Sequence, residues 1–208
     1  SQLFFSKSVL LVEGITEALL IPAFSKESIE GNAVEIVNVN GTSFEPFALL
    51  FNNKEKGKRI NIPVSIITDD DRKIKISNDD NELQILQKLK DSTPSSRAKN
   101  AKDLKGGKLE VMCSFKTFEY ELSKNANNIP IILKCLSEIR PIVAKKLEEK
   151  IKNLKTNEEK AVAIWLKLKK HKAEFAQRLA TYVEGKETKF EIPDYIKEAI
   201  AHVIKKEK

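Results

Sequence analysis

Four carboxylates in this 208-residue chain stand where apolar runs stop. Glu13 follows Ser8-Val-Leu-Leu-Val12 and precedes Gly14; Asp69 and Asp71 follow Ile60 to Thr68; Glu119 comes just after Lys108 to Ser114. If those runs are parallel strands, the four acids share one sheet edge, where open α/β proteins place their ligands. Carboxylates gathered in this way repel one another, and holding them ionised becomes much cheaper when cations sit between them. Hard oxygen ligands select Mg²⁺ or Mn²⁺, and no cluster of His or Cys offers a softer site. The spacing of Asp69 and Asp71 puts both on one side of an extended segment with Asp70 on the other. Glu17, taken alone, reads as a first-turn helix acid favoured by the helix dipole, with Thr16 a candidate cap.

The elements that must position these acids follow from periodicity. Val9 to Val12, Val34 to Val39, Ile60 to Thr68 and Lys108 to Ser114 read as strands; Asn40-Gly41 marks a turn, and Gly14 is expected to permit another. Helical spacing runs from Ile15 to Phe24, from Ser43 to Phe51 with Ser43 as cap, and from Asn81 to Lys90. Asp91 to Lys105 holds few large apolar residues and reads as an exposed connection. Strands alternating with helices predict an α/β fold, a parallel sheet wrapped on both sides. Beyond Asn128 the pattern becomes all-helical: Ile131 to Ile151, Asn157 to Lys169, His171 to Val183 and Asp194 to Lys206, with Pro130, Pro141 and Pro193 at boundaries or kinks.

Charge follows the same division. Lys and Arg number 17 against 18 Asp and Glu over residues 1–122, but 20 against 12 over residues 123–208. A near-neutral half with clustered acids beside a basic half suits a polyanion held by one half and acted on by the other. A lysine-rich solvated surface is the alternative reading of that charge. The two cysteines show neither metal-ligand spacing nor a disulfide framework, and no apolar run reaches transmembrane length, so a reducing cytoplasm is expected. With its one methionine at Met112 and a start at Ser-Gln-Leu-Phe-Phe, the chain is expected to be a piece of something longer.

Val12-Glu13-Gly14 and Asp69-Asp70-Asp71 resemble the Toprim domain, which carries a glutamate after its first strand and Asp-x-Asp after its third. Leu3 to Glu17, Asn40 to Phe47, Ile67 to Asp71 and Thr117 to Leu122 are similar to successive blocks of the overcoming-lysogenization-defect (OLD) nucleases, in which a Toprim domain follows an ABC-type ATPase domain. The resemblance implies a Toprim, Rossmann-like fold over residues 1–122, a helical appendage over 123–168 and C-terminal helices over 169–208. It implies a two-metal site of Glu13, Glu17, Asp69, Asp71, Thr117 and Glu119, and a catalytic lysine at Lys172.

The implied activity is hydrolysis of DNA phosphodiester bonds with two divalent ions, Mg²⁺ or Mn²⁺, about 3.5–4 Å apart, Ca²⁺ serving as a non-productive substitute. Glu13 and Asp69 join Lys172 as catalytic residues. DNA would be held by sequence-nonspecific phosphate contacts from the basic helical part, and an N-terminal ATPase domain would be the partner in the full-length protein. Two alternatives stay open: a Toprim module that binds nucleic acid without catalysis, and an RNA-directed enzyme.

Overall fold

The structure, a computed structural model, describes residues 6–41, 43–185 and 189–205. Leu3 to Phe5, Thr42 and the expected helix end at Lys206 lie outside the described residues. Four five-residue strands, β1 (Ser8–Val12), β2 (Val34–Asn38), β3 (Val64–Thr68) and β4 (Leu109–Cys113), form one parallel sheet in the order β2-β1-β3-β4. Register pairs Val12 with both Asn38 and Ile67, and Thr68 with Cys113, so the residues that follow β1, β3 and β4 emerge at one level.

Alternation sends successive strand residues to opposite faces. Leu10, Val12 and Ile67 pack with α1 (Ile15–Gly31), α5 (Phe118–Ser123), α6 (Ile129–Ile139), α9 (Lys172–Glu184) and α10 (Asp194–Ile204). Val9, Leu11, Val64, Ile66 and Leu109 pack with α2 (Glu45–Asn52) and α4 (Ser96–Asp103). A smaller cluster joins α3 (Glu82–Asp91), α5 and α8 (Asn157–Leu168) through Leu89, Tyr120 and Trp165. The first cluster also takes in α7 (Pro141–Lys152), so one buried body runs from the sheet into the C-terminal helices. Two polar contacts fix α10 to the sheet: Ser65 donates to the Ala199 carbonyl at 3.0 Å, and His202 Nε2 lies 3.0 Å from the Lys108 carbonyl.

Several local expectations need correction. Residues 96–103 of the expected connection are helix α4: Ser95 caps it by accepting from the Ala98 N–H, and Ala98 and Ala101 let it lie close to the sheet. A face made of two alanines leaves little apolar signal. The expected strand from Ile60 begins only at Val64, after Pro63, and Pro141 splits the expected helix over 131–151 into α6 and α7. Phe44, not Ser43, occupies the N-cap of α2. Gly14, not Thr16, is the N-cap of α1, and its φ of −147° is ordinary extended backbone, so the turn needs no left-handed residue. A Cβ there would meet Glu17 Oε2 at 3.4 Å, an ordinary contact.

Candidate metal centre

The edge where β1, β3 and β4 end gathers the acids into two groups, one around Lys172 and one around Arg97 with Lys116 beside it. In the inner group, Glu17 stands in the first turn of α1, Asp69 directly after β3, and Glu119 in the first turn of α5. All three are buried, Glu119 completely. Lys172, the first residue of α9, brings its Nζ to 3.1 Å from Glu119 Oε1, while Glu119 Oε2 is buried without a hydrogen-bond partner. Asp69 Oδ1 accepts from the Ser114 hydroxyl at 2.9 Å.

Electrostatics matches this packing. Burial, then the charges of Glu17 and Glu119, raise the Asp69 carboxyl well above its ordinary range against the pull of Lys172 and Ser114. Burial and Glu119 likewise raise Glu17, opposed by the Glu17 and Gly14 backbone N–H groups and by Lys172. For Lys172, burial alone would favour the neutral amine, but Glu119, Asp69 and Glu17 reverse that and raise it. The inner group is therefore short of positive charge.

The outer group is Glu13 and Asp71 around Arg97. Arg97 pairs with Glu13 Oε1 and lies 3.5 Å from Asp71 Oδ2; Glu13 Oε2 accepts from the Thr68 hydroxyl at 2.9 Å. Lys116 Nζ stands 4.0 Å from Asp71 Oδ1 and donates to the Arg72 carbonyl at 2.7 Å. Asp70 turns away, to Arg72 at 3.0 Å and the Ser95 N–H at 3.1 Å. Asp69 and Asp71 do not share a side as an extended segment would have them, because a φ of 49° at Asp71, a left-handed conformation that aspartate tolerates, ends the extended run. Thr117 is buried at the N-cap of α5, its hydroxyl accepting from the Tyr120 N–H at 3.3 Å.

Among the described residues, no three His, Cys, Asp or Glu side chains converge at ligating distance. The acids instead spread around Lys172 and Arg97. The donor set nonetheless fits a hard divalent cation: it is all oxygen, it carries more negative than positive charge in the inner group, and it includes a buried carboxylate oxygen, Glu119 Oε2, without a hydrogen bond.

Sequence reasoning missed Arg97, Ser114 and Tyr195. Arg97 was hidden in the segment read as a connection; a Ser cap followed by Ala98 and Ala101 was the signal for a helix there. Tyr195, on α10, buries its hydroxyl without a partner, and burial together with Asp69 and Glu17 raises its pKa well above the ordinary value. No sequence signal marks it.

A parallel sheet with acids after its first, third and fourth strands fits the Toprim-like fold expected from the sequence, and the comparisons find the same likeness. Residues 4–71 match the family model described as "Overcoming lysogenization defect protein-like, TOPRIM domain". The fold is similar to the C-terminal region of the Xanthomonas campestris pv. campestris OLD protein, with 21% identity and a TM-score of 0.59 over 98% of this chain and 95% of that one. The C-terminal region of the Burkholderia pseudomallei OLD protein gives 21% identity and 0.58 over 97% and 98%. No curated protein sequence matches. Residues 4–71 thus resemble an OLD-like Toprim domain, and the fold over nearly the whole chain is similar to that of these OLD C-terminal regions. Among the described residues, no helix is long and apolar enough to cross a membrane.

Proposed function

We propose that this chain is a metal-dependent endonuclease that hydrolyses DNA phosphodiester bonds with two divalent ions, Mg²⁺ or Mn²⁺. The observation that carries this reading is the inner group: three buried acids around a single lysine, which pairs with Glu119 Oε1 and leaves the buried Oε2 without a partner. Acids retained only for folding are ordinarily satisfied, and burying unpaired ones costs stability. In the proposed site Glu17, Asp69 and Glu119, with Thr117 as a neutral oxygen, would hold one ion, and Glu13 and Asp71 the other. When bound, such ions polarise the phosphate and make water nucleophilic near neutral pH.

The chain's own residues set the rest. Ser114 and Thr68 orient Asp69 and Glu13 through hydrogen bonds of 2.9 Å. Lys172, cationic beside Glu119, would neutralise charge that develops on the phosphate oxygens in the transition state. Arg97 holds the outer acids together and has a guanidinium suited to accepting a phosphate in their place. The division at residues 122 and 168 is kept as one of roles: catalytic core, appendage, and the helices that deliver Lys172. In a full-length protein an N-terminal ATPase domain would be the partner, and the cytoplasm the location.

The test is incubation with supercoiled DNA and Mg²⁺ or Mn²⁺, beside EDTA and a matched RNA. Nicked and linear DNA formed only with metal supports the proposal. DNA left intact, or cut equally in EDTA, overturns it, and cleavage of RNA alone transfers the site to the RNA-directed reading.

A further inference from the structure

A cleft of about 640 Å³ opens beside the outer acids, between the segment after β3, the N-terminus of α4 and the end of α8. Its lining holds five cations and one acid, Asp71; Arg72 is paired with Asp70 and Arg97 with Glu13, and the three lysines leave a net positive charge. Lys116 forms a buried part of the wall, its Nζ 5.2 Å from the centroid of the Trp165 ring. Arg97 and Ser96 come from the start of α4, whose dipole adds positive potential. Lys73, after β3, and Lys169, at the end of α8, are exposed and, among the described residues, form no ion pair. The adjoining cavity of about 570 Å³, between β4 and the start of α10, instead balances its four cations with four acids. A polyanion is drawn to the first and finds no net attraction in the second.

We propose that the cleft lined by Lys73, Ser96, Arg97, Lys116, Trp165 and Lys169 is the track on which the sugar-phosphate backbone of a DNA strand enters or leaves the acid edge. The inference rests on the nuclease reading of that edge and adds the direction of approach. Arg97 links the two, since it lines the cleft and contacts both outer acids. Lys73 and Lys169 would each meet one phosphate, and Lys116 with Trp165 would form the floor beneath them. Such contacts position the strand without reading its sequence.

The experiment measures binding apart from cleavage, by fluorescence anisotropy of a labelled DNA oligonucleotide in EDTA across a salt series. Three forms are compared: the unaltered chain, Lys73→Ala with Lys169→Ala, and Lys102→Ala with Lys197→Ala in the neighbouring cavity. Each phosphate contact contributes roughly 0.9 to the slope of log K against log salt. The cleft pair should therefore lose about 1.8 of slope and bind roughly 60-fold more weakly at 0.1 M salt, while the neighbouring pair stays near the unaltered chain. Equal binding by the cleft pair overturns the track and leaves the cleft to an acidic protein segment; equal weakening of both pairs overturns it in favour of diffuse attraction. Cleavage by the unaltered chain is scored separately. A chain that cuts DNA while the cleft pair binds normally refutes the track alone, and a chain that binds through the cleft without cutting refutes the nuclease reading alone.

Discussion

Asp69→Asn should shift thermal stability in opposite directions with and without metal. Burial and the charges of Glu17 and Glu119 hold the folded-state pKa of Asp69 well above its ordinary 3.8. The folded state thus binds more protons than the unfolded one, and stability falls as pH rises from about 3.8 through the folded value. Asparagine carries no charge at any of these pH values and still accepts from Ser114 through its Oδ1. In EDTA at pH 7.5 the variant should melt above the unaltered chain, and the gap should close only below about pH 3, where Asp69 is largely protonated in both states. With a divalent ion at 100 times its Kd the unaltered chain gains about 2.7 kcal/mol. For a chain of this size that is roughly 5–11 °C in Tm. The variant, lacking a ligand, should gain far less. Differential scanning fluorimetry with EDTA and with Mn²⁺ reads all of this. A variant that melts lower in EDTA at pH 7.5, or an unaltered chain that does not respond to Mn²⁺, refutes the reasoning.

Three further outcomes follow from the same geometry. Lys172→Met should lower kcat by about 10²- to 10³-fold while keeping the Mn²⁺-induced rise in Tm, since it removes a charge-stabilising group and no ligand; full activity would remove the lysine from the mechanism. Tyr195→Phe should melt at or above the temperature of the unaltered chain, because its buried hydroxyl has no partner to lose; a fall of more than about 3 °C would show that the hydroxyl is bonded. Asn81→Ala removes the cap of α3, where Asn81 and Gln84 exchange hydrogen bonds of 2.9 and 3.0 Å, and should cost about 1 kcal/mol, some 2–4 °C; an unchanged Tm would contradict the cap.

The four strands were legible because each is a short apolar run closed by a turn or an acid, and most helices because their apolar faces recur at helical spacing. Helix α4 was not, since two alanines suffice where a helix packs close, and Arg97 was hidden with it. The acids could be placed at one edge once the strands were read as parallel, but their separation into two groups could not. That division depends on the left-handed turn at Asp71 and on the return of α9, which brings Lys172 to Glu119 from 53 positions further along the chain. Glu17 was left open as a helix acid; it occupies the first turn of α1 and also faces Asp69 and Glu119, so both roles fall to one carboxylate.

Cleavage of supercoiled DNA in Mn²⁺ by the unaltered chain and by Glu119→Gln tests the central claim most directly. Glutamine preserves the size of a fully buried side chain and removes only its charge. If the inner acids hold the reactive ion, the unaltered chain nicks the DNA and the variant, folded by its melting curve, does not. Cleavage by the variant at the unaltered rate would show that these acids are not the catalytic centre.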